Sequence, residues 1–215
     1  MPFYMTNTKP IQNKLASRNL KFTVDSLIIK PKHSRVLANW VLRKDSNAKI
    51  PEDSEFIFNL IYRGSRDGFS NYNIRSKCDE QGAAIVIIKT KEDGTIVGGY
   101  NPLGISFKSI FKRALGYRYY STTESFIFSL GDGNDFKNFM ISRVVNSYYA
   151  IYESSFRNEA LNFGNGDLVI DNKDVTCKQS HYENNIVDTK NYTIEEMEIF
   201  QFIMNTTDTI KETKE

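Results

Sequence analysis

"AAIVIIKTKEDGTIVGGY", residues 83–100, reads as a β-hairpin. Two β-branched runs, Ile85 to Lys89 and Thr95 to Val97, flank a Lys-Glu-Asp-Gly turn of the right chemistry for a reversal. The same pattern recurs on both sides of it. "EFIFNLIYR" (55–63) places Phe56, Phe58, Leu60 and Tyr62 on one side of a strand and Ile57 and Ile61 on the other. Apolar residues on both faces predict a strand covered from both sides. "SFIFSLGDGN" (125–134) is a strand running into a glycine-rich turn, and "FMISRVVNSYYAIYES" (139–154) holds two short strands around an Asn-Ser turn. "GDLVID" (166–171) and "EMEIFQF" (196–202) close the series.

Helices are few. In "HSRVLANWVLRK" (33–44), Val36, Leu37, Trp40 and Val41 share one helical face. Ser34 is placed to cap this helix, and Arg43 and Lys44 suit its negative C-terminal end. "NYNIRSKCDEQG" (71–82) holds a short helix that turns Ile74 and Cys78 inward. Many short strands, hairpin turns and few helices predict an α+β, mainly β class: a two-sheet antiparallel β-sandwich with a few flanking helices. A polar tail over 1–24, a single domain over 25–204 and a polar C-terminus over 205–215 complete the expected organisation.

Composition narrows the function classes. The 215 residues are 40% hydrophobic and 13% aromatic, which suits a packed domain rather than a disordered chain. No apolar run approaches the roughly 20 residues of a membrane helix, and "MPFYMTNTKPIQNK" lacks the apolar core of a secretory signal. Two cysteines, Cys78 and Cys177, make no disulfide framework, so free thiols and a cytoplasmic setting are expected. A formal charge of +2 argues against a surface devoted to nucleic acid.

"LIYRGSRDGFS" (60–70) crowds two glycines, two arginines, two serines and an aspartate behind an apolar run. It fails as a phosphate loop, because Gly64 and Gly68 are followed by no lysine. A calcium loop counted from Asp132 would need Gly at its sixth position and a carboxylate at its twelfth, where Lys137 and Arg143 stand. The two histidines, His33 and His181, have no zinc-like spacing to other ligands. Ser65 or Cys78 with His181, and Asp67 or Glu183 behind it, forms a triad only on paper, and there is no G-x-S-x-G. "ISFKSIFKRALGYRYY" (105–120) is basic and aromatic together. A helix there would separate Phe107, Ile110, Phe111 and Leu115 from Lys108, Lys112 and Arg113, as a cover for a sheet edge or a contact for membrane or nucleic acid.

Read in order, "FNLIYRGSRDGFS", "CDEQGAAIVIIK", "IVGGYNPL", "ESFIFSL", "ISRVVNSYYAI", "FGNGDLVI", "CKQSHYE" and "EEMEIFQF" resemble the successive blocks of a TLDc domain. "VDSLIIKPKHSRVLANWVLRK" is similar to the helical lead-in before that domain, so the resemblance runs from Asp25 to Phe202. It implies a β-sandwich without enzymatic activity or cofactor, acting in oxidative-stress protection or on the peripheral subunits of the vacuolar-type proton ATPase. It therefore implies a cytoplasmic protein brought to vacuolar or endosomal membranes by its partner. The signature positions it marks are Arg63, Gly64, Ser65, Arg66, Asp67 and Gly68, then Gly98, Gly99, Tyr100 and Asn101, and His181 with Glu183. Ala160 and Leu161 stand where the family often has Gly-Pro, and the chain after Leu103-Gly104-Ile105 reads as an insertion.

Overall fold

The computed structural model describes residues 24–50, 54–105, 116–154, 159–188 and 191–205. The tail before Val24, the residues after Asn205 and the helix expected across 107–115 lie outside them. Three α-helices are present among the described residues: α1 (Pro31–Val41), α2 (Gly64–Asp67) and α3 (Asn71–Cys78). The strands in chain order are β1 (Glu55–Arg63), β2 (Ala84–Thr90), β3 (Ile96–Asn101), β4 (Tyr117–Tyr120), β5 (Phe126–Ser129) and β6 (Met140–Arg143). They continue with β7 (Ile151–Ser154), β8 (Leu161–Phe163), β9 (Leu168–Asp171), β10 (Asp174–Thr176) and β11 (Asn191–Asn205).

The hairpin lies where the sequence places it. Ile85 of β2 faces Tyr100 of β3 and Ile88 faces Val97. Asp93 fixes the turn: its Oδ1 accepts from Thr90 Oγ1 at 2.7 Å and from Thr95 N at 3.0 Å. Around this hairpin the strands run β4-β7-β8-β9-β10-β11-β2-β3-β5-β6, with β1 on β11, in one 11-stranded sheet. All strand pairs are antiparallel. The mainly β, antiparallel class is therefore the observed one. The pairings fall into two groups, β1-β11-β2-β3-β5-β6 and β4-β7-β8-β9-β10, joined through β11, which pairs first with β10 and then with β2 and β1.

Two apolar cores result. The first gathers side chains from both halves of the ladder: Val86, Val97, Ile127 and Ile199 from one, Phe163, Leu168, Ile170 and Val175 from the other, with Ile74 and Cys78 of α3. The second lies on the opposite face of β2, β3, β5 and β11, where α1 and the segment before it cover Ile85, Phe128 and Phe200. Trp40 meets Phe126 edge-on at 6.2 Å and Phe128 at 5.9 Å, a geometry that complements ring quadrupoles.

Local departures have physical reasons. α1 starts at Pro31, a residue whose fixed φ suits the first helical position, so Ser34 lies inside the helix and does not cap it. His33 does the local bonding instead. Its Nδ1 accepts from Lys30 N at 3.2 Å, which leaves Nε2 to donate to Gly133 O at 2.8 Å, and burial lowers its pKa. Arg43 falls past the helix end, where it pairs with Glu124 at 3.2 Å rather than serving the helix dipole. The register of β1 against β11 shifts between Leu60 and Tyr62. Phe56 and Phe58 therefore face the second core while Tyr62 enters the first, and Ile57 is left exposed. The two strands around the Asn-Ser turn part company: β6 pairs with β5, whereas β7 pairs with β4 and β8. α3 appears as expected, with Ser70 Oγ accepting from Asn73 N at 3.2 Å.

Gly98 has no room for a side chain: a Cβ there would strike Val86 O and come within 2.6 Å of Phe128 Cζ. Gly98→Ala should lower unfolding free energy by about 2 kcal/mol or more, the range for overpacking a tight core. Urea denaturation checks this; Gly94→Ala, where a Cβ meets only Lys89 Cε at 3.8 Å but φ is 71°, should cost less, about 1 kcal/mol of backbone strain.

Candidate functional site

The signature corner begins where β1 runs into α2, and its charges are all engaged. Arg63 Nε donates to Glu198 Oε1 at 2.9 Å, and its terminal amine donates to both Asp25 O and Asp25 Oδ1 at 3.0 Å. Glu198 is fully buried in the middle of β11. Its Oε1 also accepts from Leu27 N at 2.8 Å, and Ser26 Oγ donates to its Oε2. Ser26 Oγ in turn accepts from Ile28 N and Ile29 N at 3.0 and 2.8 Å. One buried carboxylate and one arginine thus fasten the lead-in segment to β1 and β11 together.

Asp67 forms a second node. Its Oδ2 accepts from Arg63 N at 3.0 Å and from Arg66 Nε and its terminal amine at 3.1 and 2.7 Å, while Lys77 lies 3.5 Å from Oδ1. The hydrogen bonds from Arg66 are the main reason that its pKa is held down at about 2. Tyr62 hydroxyl donates to Gly68 O, and Gly68 takes φ 83°, a left-handed value that glycine adopts without Cβ strain. A Cβ on Gly64 would lie inside the Phe69 ring. Ser65 is exposed on α2 and its N–H donates to Glu196 Oε1 at 3.0 Å.

The second signature block is buried. A Cβ on Gly99 would come within 2.7 Å of Phe163 Cζ, so glycine here lets β3 and β8 approach across the first core. Tyr100 packs on Phe126 at 5.3 Å and on Phe202 at 5.9 Å. Asn101 ties the next turn, donating to Gly104 O at 2.6 Å and accepting from Leu103 N at 3.0 Å.

His181 stacks on Tyr149, with ring centroids 4.4 Å apart, and its backbone O accepts from Val145 N at 2.8 Å. Glu183 completes this seam: its N–H donates to Arg143 O at 2.9 Å and its Oε2 accepts from Arg143 N at 3.0 Å. The seam hangs on Asp167, which the sequence reading did not single out. This residue is 1% exposed, and its two oxygens accept from the backbone N–H groups of Ser180, His181 and Tyr182 at 2.8 to 3.0 Å. Glu198 was missed in the same way. The available signal was an acid placed within an apolar strand run or directly behind a glycine turn.

The paper triad does not assemble. Cys78 is 1% exposed in the first core, and burial pushes its thiol up to about 12; Cys177 behaves alike. No hydrogen bond joins Ser65, Cys78 and His181 among the described residues. Among those residues no group of three or more His, Cys, Asp and Glu side chains is placed to hold a metal ion. Of the basic-aromatic stretch, 106–115 lie outside the described residues, while Tyr117–Tyr120 form β4.

A family model of the TLDc domain matches residues 23–203, most of the chain. The chain belongs to the TLDc family. A comparison with curated proteins found no match. In this TLDc domain the arginines, aspartate and glycines of the signature corner hold the junction of β1, α2 and β11.

Two predictions follow from its charges. Arg63→Met leaves Glu198 buried without its cation and should cost about 3 kcal/mol or more, read by chemical denaturation. The lowered pKa of Asp67 means that the unfolded chain takes up its proton first as pH falls. Its stabilisation is therefore complete above about 3.8 and is lost as pH drops towards about 2. Asp67→Asn should remove this part of the acid dependence in a pH series of thermal melts.

Proposed function

We propose that this TLDc domain is a non-catalytic protein-interaction module. Its partner on this reading is a peripheral subunit of the vacuolar-type proton ATPase, whose regulation would link the protein to oxidative-stress protection. The single observation behind the reading is the use made of the signature residues. In a family recognised by these blocks, Arg63, Arg66, Asp67 and Glu183 are engaged with one another, with Glu198 and with nearby backbone groups. A catalytic reading needs an accessible nucleophile beside a base, and the buried, poorly acidic thiol of Cys78 speaks against it. The placement that goes with this proposal is cytoplasmic, with recruitment to vacuolar or endosomal membranes through the partner. No helix among the described residues is long and apolar enough to cross a membrane.

The test is affinity capture from lysate at low and at moderate salt, with subunits of the pump identified in the eluate. Recovery of peripheral subunits by the wild-type chain at both salt concentrations is the expected result. Absence of those subunits at both salt concentrations rejects the pump as partner. A turnover assay that gives activity abolished by Ser65→Ala or Cys78→Ala would reject the non-catalytic reading itself.

A further inference from the structure

At the β4 end of the ladder, a cavity of about 20 Å³ is walled by Arg75 of α3, Asn101 of β3, Glu153 of β7, and Glu159 and Asn162 beside and within β8. That is room for about one water molecule. Two acceptor oxygens here have no hydrogen-bond partner among the described residues: Glu153 Oε2 and Asn162 Oδ1, the latter on a residue 4% exposed. A native core rarely leaves such atoms unpaired. A carboxyl group in this position has reason to hold a proton rather than a charge.

Among the described residues, the groups that face Glu153 come from β4, from α3 and its C-cap, and from the approach to β8. β4 contributes Arg118, its direct cross-strand neighbour, and Tyr120, which hydrogen-bonds to the carboxyl. α3 and its C-cap contribute Arg75 and Asp79, and the approach to β8 contributes Glu159, whose backbone O accepts from Arg75. Arg118 is the informative member. Its guanidinium carbon sits 4.7 Å from the Tyr120 ring centroid, and it forms no ion pair among the described residues, although the opposing carboxyl belongs to its own strand partner. Arg118 is thus stacked rather than paired, yet it lies across the strand pair from Glu153 and acts on its carboxyl.

We propose that Glu153 is a proton-binding site of the folded domain, and that its ionisation moves Arg118 from the Tyr120 ring onto the carboxylate. The balance is simple. The O–H bond of Glu153 breaks, the proton passes to solvent, and the negative charge left behind is met by Arg118 across β4 and β7 and by one water admitted to the cavity. Burial, the largest influence, raises the Glu153 pKa to about 7, against the pull of Tyr120, Arg118 and Arg75 and with the push of Asp79. The exchange therefore falls where intracellular acidity varies. Because β4 ends the strand order and shows Tyr117 at 58% exposure, the change is displayed at a surface where a partner can read it.

The experiment is a nuclear magnetic resonance titration of the full chain from about pH 5 to about pH 9, following the Glu153 carboxyl carbon, Arg118 Nε–H and the Tyr120 ring. The expected result is a Glu153 midpoint near 7, with the Arg118 and Tyr120 signals moving at the same midpoint. Glu153→Gln should abolish both movements. A midpoint in the ordinary carboxylate range near about 4.3 overturns the proposal. So do Arg118 and Tyr120 signals that ignore the Glu153 transition, or that still move in Glu153→Gln. The wild-type titration decides the matter even if the variant fails to fold.

Discussion

β11 is the constraint on which the molecule depends. This 15-residue strand hydrogen-bonds to β10 at its start and then lies between β2 and β1, so neither half of the ladder is complete without it. Its side chains are divided between the cores, with Met197 and Ile199 in the first and Phe200 and Phe202 in the second. A strand buried on both faces tolerates no slip, since a shift of one residue exchanges its two faces. Glu198 adds a sharper lock. A fully buried carboxylate costs several kcal/mol to desolvate, and only the register that meets Arg63, Ser26 and Leu27 N–H offsets that cost.

The same logic bears on why the family signature has the composition of a catalytic loop. Arginine, aspartate, serine and glycine in one loop are the ingredients of a phosphate or acyl site. They are equally the ingredients of a rigid corner, where guanidinium forks satisfy buried acceptors and glycine admits close approach. What separates the two uses is whether any polar group is left over. At the corner the charges are consumed by backbone and by one another. At Glu153 and Asn162 acceptor atoms remain, and the residues that hold them carry no sequence motif.

The secondary structure was readable wherever one local signal dominated. The Asp-Gly turn of the β2–β3 hairpin and the Ser70 cap of α3 act within a few residues of themselves. The misreadings share a cause. Ser34 lost the capping position to a helix start one turn earlier, at Pro31. Tyr62 changed sides because a bulge against β11 interrupts the alternation of β1. The candidate site was legible as a set of residues through its ordered blocks, yet not as a geometry. Asp167 and Glu198, which organise the seam and the corner, act on groups 13 to 15 and 135 to 172 positions away.

The amino-acid order alone determined the mainly β class, the hairpin, α3 and membership of a family, since periodicity, turn chemistry and ordered motifs are properties of neighbours along the chain. Only the tertiary structure decided that the ladder is continuous through β11, that Arg63 serves Glu198, and that Arg118 rests on Tyr120 beside an unpaired carboxyl oxygen. Those facts turn on burial and on partners distant in sequence. The energy of a charge is set by what surrounds it, and the surroundings exist only once the chain has folded.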